Sequence, residues 1–363
     1  VAYNGPMRAS LDQPAAYHAL DPSRLRDRIL ALPDQMREAW DAAEALALPG
    51  EYADSDRLVV LGMGGSGIGG ALLRGLALAV GATVPVELVR GYGVPAYVGA
   101  RSLVVASSNS GNTEETVAAL GAALAAGARC VVIATGGRLA AVARERGLPS
   151  LTYEWRHEPR SALGWSFAPL LNIASRLRML PDQSAAFSAA LDAMRAAAPS
   201  LAPDRPAVHN PAKQIAMRLA GRLPVIVGGE ALAPVAYRWR TQMNENGKCW
   251  GIDLELPEMN HNAPVGYGLP RRVVPLLHAI LLRHPSLHPR NAHRVALTEK
   301  QMRANGIDVE VVDVAGASVI GQMLLAVQLG DWVSYYTGIL NGADPSPIAA
   351  LDELKAQMSE FAG

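Results

Sequence analysis

The sequence predicts an α/β fold built from two similar units, each with a parallel β-sheet flanked by helices. Runs of Val, Leu and Ile alternate with longer Ala- and Leu-rich segments, and glycine-containing turns separate the two kinds of segment. The same order of strand, turn and helix begins again in the second half of the chain. Alternation of this kind is typical of parallel sheets, because each helix returns the chain to the starting edge of the sheet.

The first unit begins with residues 23–48, whose apolar residues recur at helical spacing and predict a helix. Ala- and Leu-rich segments predict further helices, and the alternation continues to about residue 190. Four strands are predicted in this unit, in the runs RLVVLG (57–62), TVPVELV (83–89), SLVVASS (102–108) and CVVIATG (130–136).

The second unit follows a proline-rich stretch at residues 198–211. It opens with RLPVIVGGEALAPVAYRWRTQ (222–242), which repeats the plan of strand, Gly-Gly turn and helix. Later elements are predicted in RRVVPLLHAILLRH (271–284) and DVEVVDV (308–314). We therefore predict an N-terminal domain over residues 1–195 and a C-terminal domain over residues 196–363.

The composition is that of an ordinary globular protein without net charge. Half of the 363 residues are hydrophobic, and 33 Lys and Arg balance 33 Asp and Glu. This balance argues against a nucleic-acid-binding surface and against a polybasic membrane contact. The most apolar runs are interrupted by charges, Arg74 in one and Asp331 in another, so no membrane span is predicted. The N-terminal segment lacks the apolar core of a signal peptide, and Cys130 and Cys249 are far apart, so we expect a cytoplasmic protein with reduced thiols.

Lysine is rare among the basic residues. Only four of the 33 are lysines, namely Lys213, Lys248, Lys300 and Lys355. Because arginine stands at nearly every other basic position, each remaining lysine is a candidate for a role that needs a compact, titratable ammonium.

A glycine-rich turn follows the first predicted strand, in the segment LVVLGMGGSGIGG (58–70). Its spacing Gly62-x-Gly64-x-x-Gly67 fits the turn that holds the pyrophosphate of a dinucleotide. A dinucleotide domain should also have an acidic residue about twenty positions further on. Glu87 is near that distance but lies inside a strand-like run, so the match is incomplete. The Gly-Lys-Ser/Thr ending of a nucleoside-triphosphate loop is absent.

Hydroxyl side chains crowd the end of the third predicted strand, in SLVVASSNSGNTEET (102–116). Hydroxyls and free main-chain N–H groups at the start of a helix form an anion site, and each hydrogen bond to a charged group contributes about 1.5–3 kcal/mol. A plain helix cap is the alternative function of the same residues. The second unit has no such loop, so we expect one phosphate site per chain. The hydroxyls belong to Ser107, Ser108, Ser110 and Thr113.

Several stretches together resemble the family of bifunctional phosphoglucose/phosphomannose isomerases, which are built from sugar isomerase (SIS) subdomains. The resemblance extends from residue 58 to residue 355. It departs from the family pattern at Asn109, where an aromatic residue is usual, and at Gly247, where serine is commoner; neither change removes a reactive group. The stretches are MGGSGIGG (63–70), SNSGNTEET (108–116), EPRSALG (158–164), QMNENGK (242–248), ELPEMNHN (255–262) and DPSPIAALDELK (344–355).

The resemblance implies a flavodoxin-like SIS fold and an aldose–ketose isomerase. The enzyme would interconvert glucose 6-phosphate, mannose 6-phosphate or both with fructose 6-phosphate through an enediol or enediolate. Glu245 would be the general base, and Arg160 would stabilise the enediolate. His261 would open the sugar ring as an acid–base group, assisted at O5 by Lys355. The substrate is a small phosphosugar, and neither a metal nor a cofactor is implied. Its phosphate would bind at Gly64, Gly65, Ser66, Ser108, Ser110 and Thr113.

The resemblance also implies a homodimer with shared active sites, in which His261 reaches into the site of the neighbouring subunit. His261 lies in a loop bounded by Pro257 and Pro264, which is compatible with a projecting loop. A loop that folds back onto its own domain is the alternative, and the sequence leaves both open.

Other functions remain as alternatives. A non-catalytic SIS regulator would usually carry a helix-turn-helix segment, and no basic N-terminal domain is present. An amino-sugar relative of the synthase type needs a glutaminase domain with an N-terminal cysteine, which this sequence lacks. For a dinucleotide-dependent dehydrogenase we find no hydride-transfer site. The histidines of HPSLHPRNAH (284–293) share no helix face and have no cysteine or carboxylate among them, so we do not expect a metal site there.

Overall fold

The structure is a computed structural model and describes residues 11–360. None of its helices is long and apolar enough to cross a membrane, as far as the described residues go. The α-helices are α1 (Pro14–Leu20), α2 (Leu25–Leu30), α3 (Leu32–Glu44), α4 (Gly64–Val80), α5 (Glu114–Ala125), α6 (Gly137–Arg146), α7 (Leu163–Arg176), α8 (Ser184–Leu201), α9 (Pro211–Leu219), α10 (Ala233–Glu245), α11 (Pro289–Ala304), α12 (Val319–Leu340) and α13 (Ala349–Ser359). The β-strands are β1 (Arg57–Leu61), β2 (Val86–Val89), β3 (Ser102–Ser108), β4 (Arg129–Ala134), β5 (Ser150–Thr152), β6 (Leu223–Gly229), β7 (Ile252–Leu256), β8 (Leu277–Arg283) and β9 (Asp308–Asp313).

The first sheet is parallel and has the strand order β2-β1-β3-β4-β5. This is the flavodoxin-like order, in which ligands bind beyond the carboxyl ends of the first and third strands. β1 and β3 lie side by side, with Leu61 paired to Ala106 near their carboxyl ends. All their residues except Arg57 are buried, as expected for central strands covered on both faces by helices. The loops after β1 and β3 therefore open into one crevice, the first crevice.

The second sheet is also parallel, with the order β7-β6-β8-β9, which repeats the first four positions of the first sheet. Val227 of β6 pairs with Leu281 of β8, as Leu61 pairs with Ala106. Each predicted strand-like run contains an observed strand. The prediction of an α/β fold with two parallel sheets flanked by helices is thus confirmed.

The structure differs from the sequence prediction in three elements. β5 and β7 are edge strands that the sequence does not predict; β5 has only 3 residues, and β7 is mostly half-exposed. The helix predicted over residues 23–48 is divided, because α2 ends at Leu30 and α3 begins at Leu32. Pro33 lies in the first turn of α3, where a residue without an N–H group is tolerated, whereas the interior of a longer helix would be broken there.

A shared core joins the two units. Helix α12 carries the buried aromatic residues Trp332, Tyr335 and Tyr336 and packs against α8, α9 and α10. The same hydrophobic core includes Val60 of β1 and Ile226 of β6. Helix α8 runs through residues 195 and 196, and the division into domains 1–195 and 196–363 stays a prediction.

Candidate active site

One side of the first crevice is the start of α4. Gly64 is the first residue of this helix and has a φ of +49°, a left-handed conformation that glycine adopts without strain. Ser66, in the same turn, is buried, and its Oγ accepts a hydrogen bond of 3.0 Å from the main-chain N–H of Asn109. Because Asn109 follows β3, this bond joins the two sides of the crevice.

The other side of the crevice is the loop between β3 and α5. The hydroxyl oxygens of Ser108 and Thr113 are 2.8 Å apart, and the N–H of Gly111 donates to the Ser108 hydroxyl at 3.1 Å. The Ser110 hydroxyl accepts from the N–H of Asn112 at 3.2 Å. A side chain at Gly111 would place its Cβ 1.8 Å from the carbonyl oxygen of Gly136, so the tight turn requires glycine. The structure thus places the predicted phosphate-binding hydroxyls at one crevice.

Gly65 brings the crevice next to the segment that carries Arg160. A Cβ at Gly65 would lie 2.8 Å from the carbonyl oxygen of Pro159 and 2.9 Å from the main-chain nitrogen of Arg160. Only a residue without a side chain allows α4 and this segment to approach so closely. The glycine-rich start of α4 and the main chain of Arg160 are therefore neighbours.

The Arg160 guanidinium is 2% exposed and is held in one orientation. Its Nε donates to the Asn246 side-chain oxygen at 2.5 Å, and its Nη2 donates to the carbonyl oxygens of Pro345 and Ser346, each at 2.8 Å. This leaves Nη1 directed at the Glu245 carboxylate, with an Nη1–Oε2 distance of 3.3 Å. Burial lowers the pKa of Arg160, but a guanidinium keeps its charge at any physiological pH.

Glu245 is the last residue of α10, and its side chain is 26% exposed. Asn246, the next residue, is fully buried and donates to the Ser334 hydroxyl at 3.1 Å. The Lys248 ammonium donates to the Glu245 carbonyl oxygen at 2.6 Å and also to the carbonyls of Pro345 and Pro347. Burial and the charge of Arg160 lower the pKa of Lys248.

Asn246 and Lys248 also contact this cluster, although the sequence does not assign either of them a role in the predicted site. For Lys248 a signal existed, since it is one of the four lysines in the chain. For Asn246 the only signal was its place beside Glu245 in the QMNENGK stretch.

A buried ion pair lies behind Arg160. Arg238 of α10 bonds Asp331 of α12 through two nitrogens, at 3.0 and 2.7 Å, and its Nη2 also donates to the Arg160 carbonyl at 3.3 Å. Both side chains are almost completely buried. Burial raises the pKa of Asp331, and the adjacent Arg238 acts in the opposite direction. The pair fixes the main chain that carries Arg160.

His261 and Lys355 are not brought to this cluster within one chain. His261 ends a short 3-10 turn after β7 and is exposed, and its side chain has no hydrogen bond or ion pair among the described residues. Lys355 lies on α13 and is exposed, and its Nζ is 3.8 Å from Oδ1 of Asp352. No contact in the described part of the chain joins either residue to Glu245 or Arg160.

The HPSLHPRNAH segment does not form a metal cluster. His284 is buried after β8, and His288 precedes α11, where its ring accepts from the Arg290 N–H at 3.2 Å. Within residues 11–360 there is no group of three or more His, Cys, Asp or Glu that could hold a metal ion.

Comparison with known proteins identifies relatives of the whole chain. The family of bacterial phospho-glucose isomerase C-terminal SIS domains matches residues 208–358. A bifunctional phosphoglucose/phosphomannose isomerase of Caldicellulosiruptor bescii is 34% identical over 92% of this chain and 99% of its own length. A D-glucosamine-6-phosphate 4-epimerase of Sulfolobus acidocaldarius is 29% identical over 63% of this chain and 69% of its own.

A solved structure shares the fold. It is described as a glucose-6-phosphate isomerase like protein from Thermus thermophilus and has a TM-score of 0.65 at 20% identity. The match covers 94% of this chain and 99% of that one. At this identity the likeness concerns the fold alone. The 34% identity over nearly the full length of a curated relative shows that this chain belongs to the family of bifunctional phosphoglucose/phosphomannose isomerases.

Proposed function

We propose that this sugar-phosphate isomerase interconverts both glucose 6-phosphate and mannose 6-phosphate with fructose 6-phosphate, using Glu245 as the base. The observation that carries the proposal is the contact between Glu245 and Arg160, 3.3 Å apart, beside the hydroxyl-lined crevice. Isomerisation needs a base next to a fixed positive charge, and a phosphate site within one sugar length. The close approach of Gly65 to the main chain of Arg160 supports this arrangement.

The chemistry follows from these groups. Glu245 removes the proton from C2 of the open-chain aldose, and the electrons of that C–H bond form the C1–C2 double bond. The carbonyl oxygen at C1 takes up the negative charge, which Arg160 stabilises through the fixed direction of its guanidinium. The hydroxyl proton on O2 passes to the negatively charged O1. The protonated Glu245 then returns its proton to C1 as the electrons left on O2 form the C2 carbonyl, which gives the ketose. Because the glucose, mannose and fructose phosphates share one enediol, a single base serves both aldoses.

The phosphate is held by neutral donors. Ser66, Ser108, Ser110 and Thr113 border the crevice, and the N–H groups at the start of α4 and α5 point along the helix axes toward it. Each hydrogen bond to the anion contributes about 1.5–3 kcal/mol, so several of them hold a phosphate without a lysine or arginine.

The first test is an assay of the wild-type chain with fructose 6-phosphate in the presence of EDTA. Glucose 6-phosphate and mannose 6-phosphate should both form. Turnover of glucosamine 6-phosphate with no product from fructose 6-phosphate would instead favour an amino-sugar function. Saturable phosphosugar binding with no turnover would favour the non-catalytic alternative.

The second test addresses the base. Glu245→Gln should lower kcat for both aldoses by at least about 100-fold, because a positioned general base contributes about 10²–10⁴-fold. Exchange of the C2 hydrogen with solvent should be lost as well, while phosphosugar binding stays near the wild-type value. Glu299→Gln, on α11, is the matched control and should retain activity. Persistent C2 exchange in Glu245→Gln would refute this role.

The proposal includes a homodimer in which His261 acts in the partner's site and Lys355 assists ring opening. Its support is a set of exposed apolar side chains within residues 250–276, the part of the chain that contains His261. Val265 is 95% exposed, and Leu269, Leu276 and Trp250 are also largely exposed. Large apolar side chains that remain exposed in the single chain favour a protein contact. A second copy packed there would cover these side chains and place His261 away from its own domain.

The domain division and the location in the cell are also proposals. Each sheet lies within one of the predicted domains, residues 1–195 and 196–363, which supports the division. A cytoplasmic location is supported by the two cysteines, which are free thiols.

A further inference from the structure

The second sheet has a crevice that corresponds to the phosphate crevice of the first. Leu61 pairs with Ala106 in the first sheet, and Val227 pairs with Leu281 in the second. Counting along the chain from these pairs, Gly62 corresponds to Gly228, and the start of α5 at Glu114 corresponds to the start of α11 at Pro289. The two crevices therefore match residue by residue without insertions.

Glu230 stands at the position of Gly64 in this correspondence. The two residues have the same left-handed conformation, with φ of +49° at Gly64 and +51° at Glu230. A residue other than glycine is uncommon at such an angle. The first crevice thus has no side chain at this position, and the second has a carboxylate.

The Glu230 carboxylate crosses the second crevice to the start of α11. It accepts hydrogen bonds from the N–H of His288, at 3.1 and 3.3 Å, and from the Asn291 side chain at 2.6 Å. His288 corresponds to Thr113, the residue before α5 in the phosphate loop. The start of α11 therefore already holds a negative group. This position in the second crevice corresponds to the proposed phosphate site of the first crevice.

Two buried side chains at the second crevice have polar atoms without a well-aligned hydrogen-bond partner among the described residues, although the amide nitrogen of one of them, Gln322, donates to the Ser286 hydroxyl and the Gly316 carbonyl. His284, which corresponds to Asn109, is 4% exposed, and neither of its ring nitrogens has a well-aligned partner in the described part of the chain. It lies close enough to Glu230 to be affected by that charge. Gln322 beside it is also buried, and its Oε1 has no partner among the described residues. Buried polar groups are normally satisfied, so unpaired groups at a crevice indicate an unfilled ligand-binding capacity.

We propose that Glu230 is an internal anion that occupies the second phosphate crevice, and that a chain without this carboxylate binds a phosphate-like anion there. The carboxylate offers two acceptor oxygens where a phosphate would offer three. Its presence restricts each chain to one phosphosugar site. The simpler alternative is that Glu230 only caps α11 and that no anion can replace it.

The test uses a chain in which the first crevice binds phosphate more weakly than in the wild type. In a Ser110→Ala/Thr113→Val background, Glu230→Gly restores the residue found at Gly64 and suits the left-handed backbone. Titration with inorganic phosphate, followed by calorimetry at constant ionic strength, should show one saturable site per chain. The affinity should be at least tenfold higher than in the background chain, and phosphate should raise the Tm of this variant specifically.

Glu230→Gln in the same background is the matched control. The amide keeps the length of the side chain and still fills the crevice, so it should bind no phosphate above the background. If Glu230→Gly does not fold, Glu230→Asn, which is shorter and tolerates the left-handed conformation, takes its place with the same expectation. A folded glycine or asparagine variant without phosphate binding would overturn the proposal, as would equal binding by the glutamine variant.

Discussion

Each hydroxyl proposed to bind the phosphate already has a partner in the free protein. Ser66 is bonded to the Asn109 N–H, Ser108 to Thr113, and Ser110 to the N–H of Asn112. These contacts fix the shape of the loop before substrate arrives, so little conformational entropy remains to be lost on binding. The proposed phosphate cradle, formed by the hydroxyls of Ser66, Ser108, Ser110 and Thr113, is therefore preformed.

Removal of two hydroxyls tests the cradle. Ser110→Ala combined with Thr113→Val should raise KM for phosphorylated sugars by at least about tenfold, because hydrogen bonds to a charged phosphate contribute about 1.5–3 kcal/mol each. Competitive inhibition by sulfate should weaken in parallel. Ser200→Ala is the control, since that exposed hydroxyl contacts only the Ala197 carbonyl. Unchanged KM and sulfate inhibition in the double variant would place the phosphate elsewhere.

At the residue scale, the sequence predicts groups that lie in recognisable stretches and misses groups defined by distant contacts. Arg160, Glu245 and the cradle hydroxyls could be predicted because each lies in a short pattern. The role of Asn246 in orienting Arg160 could not, because the two residues are 86 positions apart. The same holds for the carbonyl oxygens of Pro345 and Pro347, which hold the ammonium of Lys248. Every residue has a main-chain carbonyl, so the sequence does not show which of them accepts a hydrogen bond from a distant side chain.

At the scale of elements, α10 links the core to the site. Arg238 and Glu245 are seven residues apart on this helix and therefore lie near one face, two turns from each other. Arg238 joins α10 to Asp331 of α12 and to the carbonyl of Arg160. In the sequence, Asp331 is only a charge that interrupts an apolar run. In the structure it is the partner that makes a buried arginine tolerable.

Loss of the Asp331 carboxylate should lower the free energy of unfolding substantially. Asp331→Asn leaves the Arg238 guanidinium buried without a counter-charge, and we expect the free energy of unfolding to fall by about 3–5 kcal/mol in urea titrations. The apolar pair Arg238→Met with Asp331→Leu should recover most of this loss, since no buried charge remains. Asp34→Asn, which breaks the exposed pair with Arg195, is the control and should cost about 1 kcal/mol or less. A similarly small cost for Asp331→Asn would contradict this role.

The elements that the sequence predicted least well are those with little burial. Central strands such as β3 and β8 contain continuous apolar runs, LVVA and AILL, because helices cover both faces of the sheet, and such runs are easy to recognise. β5 and β7 pair on one side only, and β7 has exposed or half-exposed residues at four of its five positions. Their pairing with β4 and β6 depends on tertiary contacts rather than on a periodic pattern.

At the scale of the whole molecule, one chain supplies only part of the proposed site. The cradle, Arg160 and Glu245 meet in a single chain, whereas His261 and Lys355 are exposed on surrounding elements. All residues of α13 from Ala349 to Met358 are exposed in the single chain. Sequence patterns that define local elements contain no information about a second copy, so the sequence does not decide which subunit supplies His261.

Subunit mixing tests whether the active site is shared. Glu245→Gln and His261→Ala should each be nearly inactive alone. If His261 acts in the partner's site, a mixed dimer has both changes in one site and leaves the other site intact. Random exchange makes about half of the dimers mixed, so about a quarter of the wild-type activity should return.

Arg160 provides the control for this experiment. It contacts Glu245 within one chain, so mixing Arg160→Met with Glu245→Gln leaves one change in every site and should recover nothing. The two mixtures therefore differ only in whether the second residue belongs to the same chain as the base. Recovery in the His261 mixture alone establishes a composite site, because simple stabilisation by heterodimers would raise both mixtures. No recovery in either, after subunit exchange has been verified by mass spectrometry, would mean that His261 does not act in the partner's site.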